Sequence, residues 1–291
     1  MNSSKLKLIL IFLFLAVDFF FLSELINLKN SKETFTEDEI IEAVEVLETK
    51  GVYIDPTTVV NKKTVPDMLK LDFETAAVEK LVKNIMQENY SSYKIPDGQN
   101  FANDVESFSI FFDYTFEYQI FSYELERTQI TNALKYANAT DKKLRKDYEK
   151  LFEKLFGKLN LNNKSISAKV KNVVTVDDLN YVEAVQCIDG NEILDATFYA
   201  VFSGKELVYT SGTFYYSDSV SSYSTDALNG INILFSLGKN DAEITNMQLV
   251  YIPVYESTSS FYLTPSYRFE YSDGSVEIYD ATSGEKRKYF Y

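Results

Sequence analysis

The first stretch of the chain carries its longest apolar run. From Leu8 to Val17 no side chain is polar; Asp18 interrupts, Phe19 to Leu22 resume the apolar run, and Ser23 to Leu28 trail into polar sequence. A hydrocarbon core of roughly 30 Å needs about 20 mostly apolar residues at a rise of about 1.5 Å each, so 8–28 is predicted to be one transmembrane helix. Phe19-Phe20-Phe21-Leu22 stands where a signal peptide would place small residues for cleavage, which makes the helix an uncleaved anchor. Lys5 and Lys7 then put residues 1–7 in the cytoplasm and the bulk of the chain outside it. A carboxylate at mid-membrane costs about 2.5 to 3.5 kcal/mol, so Asp18 either faces a partner helix or sits near the outer edge, where water reaches it. In the first case Ile11, Phe14, Leu15, Leu22 and Leu25 share its face at helical spacing, and these six residues form a candidate partner-binding surface.

Beyond residue 28 the pattern alternates between helix and strand. Thr36 with Glu39 is a capping box, and Ile40, Ile41, Val44 and Leu47 form the apolar stripe of a helix closed by Lys50-Gly51. Gly51 to Pro56 reads as a short strand and turn. A second helix, 72–87, buries Phe73, Ala76, Ala77, Leu81 and Ile85. From Phe108 to Ile120 every even position is apolar, which predicts one long strand of an antiparallel sheet with one wet face and an aromatic row in the core. Residues 124–156 are helical, broken or capped near 138–141 and ended by Gly157. The first domain, 29–157, finishes there.

The second domain, 158–291, opens with a polar, Asn-rich junction over 158–167. Strands follow at 181–188, 195–202, 206–210 and 212–216, with hairpin signals at Asp189-Gly190-Asn191 and Ser203-Gly204-Lys205. A helix runs from Thr225-Asp226 to Leu237, a strand covers 243–255, and a last hairpin, 267–271 with 276–279, turns at Asp273-Gly274. The order of helix, glycine and strand at the start of the first domain recurs after residue 225. Each half is therefore expected to be a helix laid on an antiparallel meander, giving an α+β chain with a transmembrane helix ahead of two extracytoplasmic domains.

Composition narrows the chemistry. Hydrophobic residues make up 45% of the chain and aromatics 15%, enough for packed cores rather than disorder. A net charge of −14 repels nucleic acid, so no nucleic-acid partner is expected. Histidine is absent and Cys187 is the single cysteine. Together these remove His-based acid–base catalysis, Ser-His-Asp and Cys-His nucleophiles, ordinary zinc sites and intramolecular disulfides. Cys187, inside a strand, reads as a small buried hydrophobe. No phosphate loop, dinucleotide fingerprint or calcium loop is present. Ser91-x-x-Lys94 and Ser236-x-x-Lys239 have the serine–lysine spacing of penicillin-recognising enzymes but lack the partner motifs. No catalytic residue, cofactor or metal ligand is assigned, and the chain reads as a non-enzyme. The alternative is an envelope hydrolase using a carboxylate pair, although nothing among the 43 acids singles out a pair.

Two end segments resemble a known family. Ser4-Lys5-Leu6-Lys7 ahead of Leu8 to Leu13, with Asp18-Phe19-Phe20 later in the run, is similar to the amino terminus of the YycI and YycH proteins. Leu263-Thr264-Pro265-Ser266-Tyr267-Arg268, then Asp273-Gly274, then Tyr279-Asp280-Ala281-Thr282-Ser283-Gly284-Glu285 resembles that family's closing segment and is also PepSY-like. Ser3, Tyr267 and Asp280 depart from the family's usual aromatic, Trp and Asn. The resemblance implies a single-pass accessory protein in the cell membrane of Gram-positive bacteria. Such a protein binds the transmembrane helices of a sensor histidine kinase, works with a sister YycH-type protein, and modulates cell-wall two-component signalling. The family has no catalytic residue to carry over. A PepSY-like module that binds a ligand or restrains a protease is a further alternative, and it predicts a concave sheet face lined by exposed Tyr and Phe.

Overall fold

In the computed structural model the described residues are Leu15, Phe19, 33–86, 89–135, 142–156, 160–161, 164–237, 241–257 and 259–288. They form two units, each drawn from separated stretches of chain: one from 33–66, 226–248 and 267–288, the other from 67–225 and 249–266. The expected junction at 157 and 158 lies outside the described residues.

In the first unit the capping box forms as the sequence dictates. Thr36 Oγ1 accepts from the Glu39 amide at 3.2 Å, and the Thr36 amide donates to Glu39 Oε2 at 2.8 Å. The helix Glu37–Glu48 then buries Ile40, Val44 and Leu47, while Ile41 stays exposed. The second helix is shorter than expected, Gly230–Ser236, and is capped by Asn229 rather than by Thr225-Asp226. The two helix–glycine–strand stretches do not found separate halves. Their strands, Val52–Ile54 and the start of Ala242–Tyr255, pair in parallel with Val52 opposite Ala242 and Ile54 opposite Ile244. The Lys50 ammonium lies 5.0 Å from the Phe235 ring centroid.

The closing segment is scaffold in this unit. Asp280 Oδ1 accepts from the Thr282 amide at 2.7 Å and from Thr282 Oγ1 at 2.5 Å, and Oδ2 accepts from the Arg287 guanidinium. Burial alone would raise the Asp280 carboxyl, but the Thr282 and Arg287 bonds outweigh it and hold the group below its ordinary range. Glu277 accepts from the Tyr271 and Tyr279 hydroxyls and from Lys286 in the same way.

The second unit is built on one sheet, mostly antiparallel. Its strands run in the order Val220–Tyr223, Met68–Asp72, 260–266 of Ser260–Tyr271, 249–255 of Ala242–Tyr255, Asn191–Ser203, Glu206–Thr213, Thr115–Ile120, Glu106–Phe111, Gly98–Ala102, Ser91–Ile95. Lys164–Val176 and Leu179–Ile188 extend it as a hairpin from Asn191–Ser203. Three helices, Thr75–Ile85, Arg127–Lys135 and Lys142–Phe156, bury apolar stripes in this unit. The last sets Tyr148 5.0 Å from Phe202, Phe152 5.1 Å from Phe198 and Phe156 4.4 Å from Phe214. Aromatic pairs of this kind contribute about 0.5 to 1.5 kcal/mol each beyond their burial.

Three expectations are corrected. The run Phe108 to Ile120 is a hairpin, Glu106–Phe111 with Thr115–Ile120, not one strand. Its register sets Phe108 opposite Tyr118 and Ile110 opposite Phe116, so even positions face the core on both sides of the turn and the alternation never breaks. The polar stretch 158–167 reads as a junction, yet Lys164–Val176 is a 13-residue strand that begins inside it.

The third correction concerns the fold class. Among the described residues no helix is long and apolar enough to cross a membrane. The longest, Lys142–Phe156, would reach only about 22 Å at about 1.5 Å per residue and is studded with Lys and Glu. A large mixed sheet, not a membrane helix followed by two helix-on-meander domains, is the architecture of the described residues, and none of their helices provides the expected single-pass anchor. Of the expected span 8–28 only Leu15 and Phe19 are described, both helical and exposed.

Candidate functional site

Three turns of the second unit meet at one cleft. The first is Ile95-Pro96-Asp97-Gly98, between Ser91–Ile95 and Gly98–Ala102. The second is Phe111-Phe112-Asp113-Tyr114, closed by the Tyr114 amide donating to the Phe111 carbonyl at 2.9 Å. The third follows Tyr255 at the end of its strand, where the Glu256 and Ser257 amides both donate to the Ser260 carbonyl. A backbone bond ties the first two, Phe112 amide to Asp97 carbonyl at 2.8 Å. A Cβ on residue 98 would lie 2.3 Å from the Ile110 carbonyl oxygen, so only glycine lets these hairpins approach so closely.

The cleft measures about 760 Å³ and is lined by Asp97, Phe111, Phe112, Asp113, Thr115, Tyr255 and Ser257. That size falls within the range of roughly 300 to 1,000 Å³ typical of ligand clefts. Phe112 is 37% exposed and Tyr255 55%. Behind them the rings interlock: Phe73 lies 5.1 Å from Phe112 and 5.4 Å from Tyr114, and Phe261 lies 4.9 Å from Tyr114, 4.7 Å from Tyr215 and 6.1 Å from Tyr255. The Tyr215 and Tyr255 hydroxyls are 3.1 Å apart. Fully buried Gln186 clamps Tyr215 from below, donating to its carbonyl at 2.7 Å and accepting from its amide at 2.8 Å. The exposed rings are thus fixed to a rigid aromatic floor.

Tyr114 is the anomaly of this floor. Its φ is +65°, a left-handed conformation that a bulky aromatic side chain rarely adopts and that a hairpin turn usually assigns to glycine or asparagine. The side chain is 1% exposed, and its hydroxyl has no hydrogen-bond partner among the described residues. Burial, with Asp72 and Glu74 nearby, pushes the phenol far above its ordinary range, so it stays protonated.

The two lining carboxylates are differently occupied from their neighbours. Asp113 Oδ1 accepts from the Thr115 amide at 3.0 Å and from Thr115 Oγ1 at 2.6 Å, which sets the turn. Neither Asp97 nor Asp113 has an ion-pair partner among the described residues, whereas Glu256 between Tyr255 and Ser257 is paired with Lys70 at 2.6 Å.

A second cleft of about 680 Å³ is lined by Lys146, Lys150, Lys169, Cys187 and their neighbours. Burial pushes the Cys187 thiol up to about 12, so it is no nucleophile at neutral pH. Glu192 neutralises Lys169 and Lys171, each at 2.7 Å. Among the described residues no three metal-ligating side chains cluster.

The candidate surface read from the sequence does not coincide with the cleft where it can be placed. Leu15 is helical and exposed and does not line it. Ile11, Phe14, Asp18, Leu22 and Leu25 lie outside the described residues. The aromatic row at Phe112 and Tyr114, read as core, splits at the turn: Tyr114 goes inward and Phe112 to the surface. Asp97 carried a signal in Pro96-Asp97-Gly98, a turn sequence, but Tyr255 and Ser257 carried none.

No protein-family model matches this chain, and no curated protein matches it. Among solved structures it is similar to an uncharacterized protein from Eubacterium rectale ATCC 33656, at 13% identity and a TM-score of 0.46, over 78% of this chain and 86% of that one. It is also similar to the Bacillus megaterium YpeB C-terminal domain, at 9% identity and a TM-score of 0.32, over 88% of this chain and 97% of that one. Both likenesses are distant.

Proposed function

We propose that the chain is a non-catalytic accessory regulator that works by gripping part of another protein in the aromatic cleft of its second unit. The observation that carries this reading is the pair of exposed rings, Phe112 and Tyr255, held on a packed aromatic floor beside two carboxylates that have no ion-pair partner among the described residues. Carboxylate chemistry elsewhere supports a scaffolding use. Glu39, Asp55, Glu192, Asp218, Glu256, Glu277 and Asp280 are all held below their ordinary range by hydrogen bonds or cations. A hydrolase working through a carboxylate pair needs one of them raised and protonated. The finer reading, a YycI- or YycH-type regulator of a sensor histidine kinase, is supported by the closing segment from Leu263 to Glu285, whose Asp280 and Gly284 build one tight turn.

The test is site-specific photo-crosslinking in the native cell. A photoreactive aromatic residue replaces Tyr255 in one strain and Val105, 60% exposed and outside the cleft, in another. The reading expects a discrete protein adduct from position 255 and none from 105. An adduct with a sensor kinase or a sister regulator supports the finer reading; identical patterns from both positions would end the proposal.

A further inference from the structure

We infer that the cleft takes a lysine or arginine side chain of an extended peptide segment, with its alkyl stem on the Phe112 and Tyr255 rings and its charge toward Asp97 and Asp113. This rests on the binding reading above and specifies its ligand. Three observations converge on a cation, and a fourth marks the site. Two exposed aromatic rings line the cleft, and aromatic ring faces attract ammonium and guanidinium groups. Among the described residues two carboxylates of the lining lack counter-charges, in a unit where Glu192, Asp218 and Glu256 all have them. No Lys or Arg among the described residues lines the cleft, so an anionic occupant would meet only like charge there, deepened by the net −14 of the chain.

The fourth observation is independent of charge. Tyr114, between lining residues Asp113 and Thr115, combines left-handed backbone with a buried hydroxyl that has no partner among the described residues. Strain and an unsatisfied polar group together in one turn mark a site where function overrides stability. A volume of about 760 Å³ exceeds what one small cation needs and has room for a chain segment.

The experiment uses the full chain and three blocked tetrapeptides, Ac-Ala-Phe-Lys-Ala-amide and its norleucine and glutamate analogues, with affinity read by calorimetry and position by amide chemical shifts. Cation–π and paired-carboxylate contributions together favour the lysine probe by about tenfold over norleucine, and by more over glutamate. Salt at about 0.5 M collapses that preference. The double substitution Asp97→Asn, Asp113→Asn erases it as well. Asparagine suits both places, since Asp97 sits at φ +57° and Asp113 needs only a carbonyl oxygen for Thr115. An unchanged unfolding midpoint verifies that the variant is folded.

Equal affinity of all three probes at the cleft would overturn the cation assignment and leave the binding reading standing. A lysine preference that survives the double substitution would overturn it too. Failure of every peptide at the cleft, with binding there of a neutral chito-oligosaccharide instead, would overturn both.

Discussion

Replacing Tyr114 with Phe removes one oxygen atom from the core of the second unit, and the structure fixes the sign of the effect. The ring keeps its edge contacts with Phe73 at 5.4 Å and Phe261 at 4.9 Å, so packing is preserved. What disappears is a hydroxyl that is desolvated and unpartnered among the described residues. Leaving such a group buried costs about 1 to 3 kcal/mol, so Tyr114→Phe should stabilise the fold by about 1 kcal/mol. Tyr118→Phe is the opposite case, because the Tyr118 hydroxyl donates to Glu106 Oε2 at 2.7 Å and Glu106 is itself buried. Losing a hydrogen bond to a buried carboxyl group should cost about 1.5 to 3 kcal/mol. Tryptophan is absent, so urea unfolding is followed by far-UV circular dichroism, and the midpoint should rise for the first variant and fall for the second with unchanged slope. A Tyr114→Phe protein that is destabilised by 1 kcal/mol or more, on the order of that same hydroxyl penalty, would refute the reasoning.

Two further outcomes follow from the geometry. Gly212→Ala should destabilise by about 3 kcal/mol or more, since φ is +148° and the new Cβ would lie 2.4 Å from the Thr197 carbonyl oxygen and 2.5 Å from Phe198 Cα; thermal unfolding checks this. Stability should be flat from neutral pH to about pH 5 and fall below it. No histidine titrates in that range, and the lowered Glu192, Glu277 and Asp280 stabilise above their unfolded values and lose that contribution as pH falls through the folded ones. Glu277→Gln should flatten the acid limb, as read from unfolding midpoints at successive pH values.

Local rules written into single residues were legible. Thr36 and Glu39 announced their capping box, the breaks at Asp189-Gly190 and Ser203-Gly204 marked real hairpins, and of the apolar stripe Leu144, Tyr148, Leu151, Phe152 and Leu155 on the helix ending at Phe156, Tyr148 and Phe152 are buried and the three leucines half-buried. What failed has a physical cause. A turn that keeps register parity leaves the alternation of Phe108 to Ile120 intact, and Tyr114 occupies the place where glycine would have flagged it. Asparagines and lysines at 158–167 hid a strand start, because alternate residues of Lys164–Val176 face solvent. The long apolar start suggested a membrane architecture that no described helix provides. The cleft itself joins Asp97, Phe112 and Tyr255 across more than half the chain, and no linear pattern encodes such a meeting.

The central claim is that the exposed rings of the second unit form a binding surface and not leftover core. Its most direct measurement is the affinity of the full chain for the blocked Phe-Lys tetrapeptide before and after the double substitution Phe112→Ala, Tyr255→Ala. The account predicts a loss of about tenfold or more in a double variant that still unfolds cooperatively, its stability lowered by the lost contacts of the two partly exposed rings with Phe73, Phe261 and Tyr215. Undiminished affinity in a folded double variant would contradict it.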